Sequence, residues 1–155
     1  MTSLFRSAWS GLISPMIKRP PALQLAALCW REGSEGREVL LVTSSSGRWI
    51  LPKGWPVDGL TAPETALQEA WEEAGVKRGQ AAPDALGEFG SRKRFDTGVE
   101  IACDTKVFEV EVLEDSTDYP ESAQRQRRWV KVGEAANSVD EPGLVPLLED
   151  YAARF

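Results

Sequence analysis

The chain has 155 residues, of which 42% are hydrophobic and 27% are charged, and its formal net charge is −6. This length suits one domain with a single core, and the composition is ordinary for a soluble globular protein. The acidic balance argues against bulk binding to nucleic acid or to an anionic membrane. Because the sequence has no histidine and only two isolated cysteines, it excludes Cys/His zinc sites and Ser-His-Asp triads. Any catalytic metal would then be a hard cation held by oxygen.

The chain begins with a weakly amphipathic, basic stretch that ends at two consecutive prolines. We interpret residues 1–21 as an N-terminal extension and residues 22–155 as a single domain. The stretch lacks the long apolar core of a secretory signal, and no apolar run approaches the roughly 20 residues of a membrane-spanning helix. We therefore expect a cytoplasmic protein without a membrane partner.

Three strands are predicted in the first third of the domain. Residues 22–30 form an apolar run typical of a buried strand, and a polar turn separates it from a second run at 39–45. A brief strand is expected at residues 49–51, where a proline and a glycine follow. These segments predict part of a sheet.

A helix is predicted to begin near Thr61 and to end at Gly75. Thr61 and Glu64 have the spacing of a capping box, in which each side chain binds the other residue's backbone N–H. Gly75 suits the left-handed residue that follows a helix, and Lys77 and Arg78 would lie just beyond the negative end of the helix dipole.

The second half of the chain changes to the period of strands. Strands are expected at residues 86–95, 99–113 and 128–132, followed by a short helix at 133–139 and a terminal helix at 142–155. In the longest strand, Phe108 and Val110 would share one face and Val107 the other. This order predicts an α/β fold, an α/β/α sandwich with a mixed β-sheet.

The predicted helix carries three carboxylates close together. Leu67, Ala70, Trp71 and Ala74 have the spacing of a buried stripe, which places Glu69, Glu72 and Glu73 on nearly the opposite side. Each like-charge pair costs an isolated helix about 0.2–0.5 kcal/mol. Two interpretations remain open: a solvated acidic face, or a platform for a divalent cation that reverses the sign of the interaction.

The flanking residues connect this helix to a known family. The segment resembles the signature of the Nudix hydrolases at Gly54, Glu69, Ala70, Glu72, Glu73, Gly75 and Val76. It departs at Leu60 and Gln68, where the family has a Glu and an Arg that pair with each other. Glu64, one turn before Gln68, would supply part of that brace through a hydrogen bond. The resemblance covers most of residues 22–136, and it is strongest to the branch that hydrolyses diphosphoinositol polyphosphates and dinucleoside polyphosphates.

The resemblance implies a metal-dependent hydrolase that cleaves a diphosphate linkage in a phosphate-rich small molecule. Mg²⁺ or Mn²⁺ would bind at Glu69, Glu72, Glu73 and Gly54. Glu69 and Glu72 would act in catalysis, and the proton acceptor is left open between Glu72 and a residue outside the signature such as Glu121. Alternatives are another Nudix pyrophosphatase, acting on ADP-ribose, dNTPs or RNA 5′ ends, or a catalytically weakened binding module. We expect a monomer or a weak homodimer.

The phosphates of such a substrate require cations at the mouth of the site. Lys53 directly precedes Gly54, and Arg48 and Ser45 lie in the preceding turn. Arg92 and Arg94 belong to a short basic segment that resembles one used by the inositol-phosphate branch. These five residues are the predicted substrate-binding set, although short basic runs are also common on solvated surfaces.

Overall fold

The structure is a computed structural model, and it describes residues 20–155. The predicted extension over residues 1–21 lies almost entirely outside the described residues, so it stays a prediction.

The described chain contains eight strands, three helices and two 3₁₀ turns. The strands are β1 (Ala22–Gly33), β2 (Gly36–Thr43), β3 (Trp49–Ile50), β4 (Lys53–Gly54), β5 (Val76–Ala81), β6 (Gly87–Arg94), β7 (Glu100–Asp115) and β8 (Arg127–Lys131). The helices are α1 (Ala62–Ala74), α2 (Ala135–Ser138) and α3 (Val145–Ala152), and the 3₁₀ turns are Val132–Glu134 and Pro142–Leu144.

The centre of the sheet is the parallel pair of β1 and β7, and all other pairings are antiparallel. On its other edge β1 pairs with β2 and with β4, while β7 pairs with β6 along its first half and with β5 along its second. Strand β2 in turn pairs with β3 and β8. The predicted mixed sheet is therefore confirmed.

Both faces of the central strands are buried, because successive side chains of a strand point to opposite faces. Leu25, Ala27 and Cys29 of β1 pack in one core with α1, whereas Ala26 and Leu28 pack in a second core with α2 and α3. In β7 the same alternation places Phe108 and Val110 in the core with α1 and Val107 in the second core, as the sequence predicts. The result is the predicted α/β/α sandwich.

Both ends of α1 are as predicted. The Thr61 hydroxyl accepts a hydrogen bond from the Glu64 backbone N–H at 3.3 Å, and Glu64 Oε1 accepts one from the Thr61 N–H at 2.8 Å. Gly75 has a φ of 75°, in the left-handed region. Lys77 and Arg78 follow the helix end as predicted, and they belong to β5, where each approaches Glu114 at 3.7 Å.

The buried stripe of α1 differs from the prediction. The fully buried positions include Ala66, Ala70 and Ala74, and Glu73 is buried beside them with 5% of its surface exposed. Leu67 and Trp71 are only partly buried. Alanines let α1 lie close to the sheet, and this close packing also covers the neighbouring Glu73. The three carboxylates therefore do not form a solvated face.

No helix within residues 20–155 is long and apolar enough to cross a membrane.

The junction between α1 and β5 predicts a contrast between two glycine substitutions. A Cβ on Gly75 would clash with the backbone oxygen of Ser116, whereas a Cβ on Gly59, which has a φ of 86°, would meet nothing within 4 Å. Gly59→Ala should lower the free energy of unfolding by about 1–2 kcal/mol through backbone strain alone. Gly75→Ala should lower it further, because the clash with Ser116 adds to the strain. Urea denaturation measures both, and equal losses would contradict the expected backbone clash.

Candidate functional site

The short strand β4 brings the glutamates of α1 against the sheet. Gly54 pairs with Leu25 and Lys53 with Ala26, so Gly54 faces α1 and Lys53 faces the opposite layer. A Cβ on Gly54 would lie 2.5 Å from the carboxyl carbon of Glu69. The absence of a side chain at position 54 is therefore what allows Glu69 to approach the backbone of β4.

Each carboxylate of the predicted metal site has its own neighbours. Glu73 Oε1 accepts a hydrogen bond from the Lys53 backbone N–H at 3.3 Å, and Glu72 Oε2 accepts one from Gln68 Nε2 at 3.1 Å. The expected bond between Gln68 and Glu64 is wrong, because Glu64 is engaged in the helix cap one turn earlier. Gln68 instead braces Glu72, a predicted ligand, directly.

Glu69 and Glu73 are a coupled carboxyl pair. Burial first, and then the neighbouring Glu69 carboxyl, raise the pKa of Glu73 to about 9. Burial is also the main cause of the raised pKa of Glu69, to which the charge of Glu72 adds. Ionising both of two adjacent, buried carboxyls is unfavourable, so this pair keeps a proton to a higher pH than an isolated glutamate does.

Arg125 is a cation of the site that the sequence did not assign. Its Nε lies 2.7 Å from Glu121 Oε1, its Nη1 donates to the Thr43 carbonyl at 2.6 Å, and its Nη2 lies 3.7 Å from Glu73 Oε1. Arg125 and Glu121 are four positions apart and form an ion pair. The approach to Glu73 joins residues 52 positions apart, and no local pattern signals it.

Within residues 20–155, no three Asp, Glu or Cys side chains stand together in an arrangement ready to hold a metal ion. The donors nevertheless fit a hard divalent cation, which prefers carboxylate oxygens. The fit is supported by the Glu69–Glu73 pair, because a cation can supply the neutralising charge that a proton otherwise supplies. Glu69, Glu72, Glu73 and Gly54 stay the predicted ligands.

A cleft of about 540 Å³ is lined both by Glu73 of α1 and by Lys53 of β4. Its lining contains three consecutive serines, six basic residues and three acidic residues: Ser44, Ser45, Ser46, Arg48, Lys53, Arg92, Lys93, Arg94, Arg125, Glu73, Asp96 and Glu141. All five predicted substrate-binding residues are in this list, whereas Glu69 and Glu72 are not. The cleft is locally basic in a chain whose net charge is −6.

The cations of the cleft differ in their partners. Arg92 and Arg94 are exposed and share the Glu100 carboxylate at 3.1 and 3.0 Å, and Arg48 Nη1 donates to the Asp140 carbonyl at 3.1 Å. Lys93 has no hydrogen bond or ion pair from its side chain in the part of the chain that the structure describes. Lys53, expected to reach a phosphate, is instead paired with Glu141.

The proton on the Glu69–Glu73 pair predicts a pH-dependent difference between the wild type and Glu73→Gln. The raised pKa of Glu73 stabilises the fold fully below its ordinary value of 4.5, and this stability is lost as the pH rises through about 9. Glutamine resembles the protonated carboxyl at every pH. In buffer with a chelator, the urea midpoint of Glu73→Gln should exceed that of the wild type at about pH 8 and approach it at about pH 5. If the urea midpoints of the two proteins differed by the same amount at both pH values, the raised pKa of Glu73 would be contradicted.

Comparison with known proteins identifies the family. A family model described as NUDIX domain matches residues 22–151. Nudix hydrolase 16, mitochondrial, from Arabidopsis thaliana is 38% identical over 109 residues, which are 68% of this chain and 59% of that protein. Human diphosphoinositol polyphosphate phosphohydrolase 3-beta is 37% identical over 112 residues, 71% of this chain and 64% of that protein.

The matched region spans about three fifths of the length of the first curated relatives. Some of these relatives are described as mitochondrial and another as chloroplastic, so the cytoplasmic location stays a prediction for this chain.

Solved structures show the same fold. The Ap4A hydrolase of C. elegans superposes with a TM-score of 0.58 at 16% identity, over 87% of this chain and 98% of that one. The NUDIX domain of Shewanella oneidensis NrtR, solved with ADP ribose, superposes with a TM-score of 0.58 at 17% identity, over 97% of this chain and 99% of that one. The family model spans the sheet, α1 and most of α3, and it shows that the chain belongs to the NUDIX domain family.

Proposed function

We propose that this chain is a metal-dependent hydrolase that cleaves a diphosphate linkage in a phosphate-rich small molecule. The observation that supports the proposal is the position of Glu73, a carboxylate of the Nudix signature, at the wall of a cleft with six basic residues. An anhydride substrate needs cations for its phosphates and carboxylates for a metal within one site. Family membership and the named relatives favour this chemistry.

The glutamates of α1 have the metal-binding role in this proposal. Glu69, Glu72 and Glu73, with Gly54, would hold Mg²⁺ or Mn²⁺, which when bound supplies positive charge at the phosphoryl oxygens and lowers the pKa of water. Gln68 orients Glu72, and the Lys53 backbone N–H orients Glu73. The proton acceptor is Glu72 or Glu121, whose backbone N–H donates to the Glu72 carbonyl at 3.0 Å.

The lining of the cleft favours a substrate bound by charge. Arg48, Lys93 and the hydroxyls of residues 44–46 would donate to phosphate oxygens. Phe95, with 39% of its surface exposed, is the sole aromatic lining residue among those that the structure describes. Nucleoside recognition commonly uses stacking on aromatic rings. We therefore favour a diphosphoinositol polyphosphate over a dinucleoside polyphosphate as the substrate class.

One experiment tests both the reaction and the substrate class. The full chain is incubated with Mg²⁺ or Mn²⁺ and, in parallel, with a diphosphoinositol polyphosphate, diadenosine tetraphosphate, ADP-ribose and a dNTP. We expect release of phosphate from the first, faster than release of nucleotide from the others. Turnover of only the nucleotides would overturn the substrate class. No turnover of any compound, with unchanged melting on addition of metal, would favour a binding module.

Removal of one carboxylate at a time tests the metal-binding role. Glu72→Gln and Glu73→Gln should each lower kcat by at least about 10²-fold while the fold is retained, because each removes a charged donor from the metal site. Glu88→Gln is the matched control, since Glu88 is exposed on β6 and lies outside the cleft. The measurement is the initial rate at saturating metal with circular dichroism of each variant. Substantial activity in both signature variants would exclude the proposed site.

The two arginines Arg92 and Arg78 give a matched test of the cleft. Each has 63% of its side chain exposed and one glutamate partner, but only Arg92 lines the cleft. Arg92→Gln should raise KM by roughly three- to ten-fold, because it removes a cation near the phosphates. Arg78→Gln should leave KM unchanged. If both substitutions raised KM equally at low salt, net charge alone would govern substrate binding and Arg92 would have no local role in the cleft.

A further inference from the structure

The cleft contains a buried ion pair that neutralises one of its cations. Lys53 Nζ lies 2.8 Å from both carboxylate oxygens of Glu141. The two side chains are nearly buried, with 12% of Lys53 and 5% of Glu141 exposed. Both residues line the cleft. The ammonium that β4 directs into the cleft is therefore already satisfied by a carboxylate of the chain itself.

Glu141 is held in place by the residue before it. The Asp140 backbone N–H donates to the Trp49 carbonyl at 2.8 Å, and Asp140 Oδ2 accepts from the Trp49 N–H at 2.7 Å. Arg48 Nη1 donates to the Asp140 carbonyl at 3.1 Å. On the other side, Glu141 leads into the 3₁₀ turn that precedes α3. The carboxylate thus belongs to a fixed wall of the cleft and not to a free surface side chain.

We infer that Glu141 is a specificity-determining residue: it neutralises Lys53 and so limits how many phosphates the cleft binds. An anionic ligand approaching this point meets a neutral pair, whereas elsewhere it meets the cations of residues 92–94 and Arg48. To bind Lys53, a phosphate would have to displace a buried carboxylate that has both oxygens hydrogen-bonded, and this displacement is unfavourable. The inference rests on the proposed function, because it concerns the same cleft.

The charges of the pair give an expected order of affinities. Glu141→Gln leaves the Lys53 charge uncompensated, and a ligand phosphate becomes its best available partner. Lys53→Gln leaves an unpaired carboxylate that repels the ligand. The double variant, Lys53→Gln with Glu141→Gln, restores local neutrality and leaves no unpaired buried charge. Affinity for a polyphosphate should therefore be highest in Glu141→Gln, intermediate and equal in the wild type and the double variant, and lowest in Lys53→Gln.

The test is calorimetric titration of the full chain with inositol hexakisphosphate and, separately, with inorganic phosphate. Glu141→Gln should bind the hexakisphosphate roughly three- to thirty-fold more tightly than the wild type, with a steeper loss of affinity as salt is added. Its affinity for inorganic phosphate should change less, because one phosphate is not forced to use every cation. Glu149→Gln is the control, since it changes the net charge equally from an exposed position on α3 outside the cleft.

Each outcome separates this inference from a structural role. A folded Glu141→Gln that binds the hexakisphosphate no better than the wild type would overturn it, and so would absence of binding by every variant. If Glu141→Gln melts too early to be measured, the double variant decides. If the double variant binds with the affinity of the wild type, the result supports neutralisation of Lys53 by Glu141. Weaker binding by the double variant would overturn the inference, because it would mean that Lys53 contacts phosphate in the wild type. Inositol hexakisphosphate has no diphosphate bond, so the result is independent of turnover and of whether the proposed hydrolysis occurs.

Discussion

The alternation of two residues across the short strand β4 determines where both halves of the candidate site lie. Gly54 faces α1 and leaves room for Glu69, while Lys53 faces the opposite layer and reaches Glu141. The Lys53 backbone N–H also donates to Glu73, so one residue contacts an acidic group on each side of the sheet. A shift of β4 by one residue would exchange the two directions and place a lysine side chain among the glutamates of α1.

Local patterns were sufficient to predict the framework of the fold. The ends of α1 depend on contacts between residues three or four positions apart, which is why the Thr61–Glu64 capping box and Gly75 follow from the sequence. The two faces of β7 follow from strict alternation over a long strand. Arg48 was predicted from its place in the turn before Lys53, whereas Arg92 and Arg94, 44 and 46 positions after Arg48, were predicted from resemblance to the family because no local signal links them to the turn.

Tertiary contacts decided the features that the sequence did not predict. Helical periodicity placed Glu73 away from the core, but the small alanines of α1 bring the helix close to the sheet and bury its carboxylate. Strand β5 was missed because it follows Gly75 with no intervening turn and is mostly polar. The partner of Lys53 was missed for another reason: Glu141 lies 88 positions away, and only the docking of the C-terminal segment brings the two charges together.

The two hydrogen bonds between Asp140 and Trp49 also have a consequence for the order in which the chain folds. Contacts between distant positions form late, because the entropy of closing a long loop opposes them until other interactions hold the ends near each other. The residues of the Nudix signature are close together in sequence, whereas the far wall of the cleft depends on the segment before α3, where Asp140 contacts Trp49 from 91 positions away. During synthesis from the N-terminus, the whole signature is therefore made before the segment that completes the cleft.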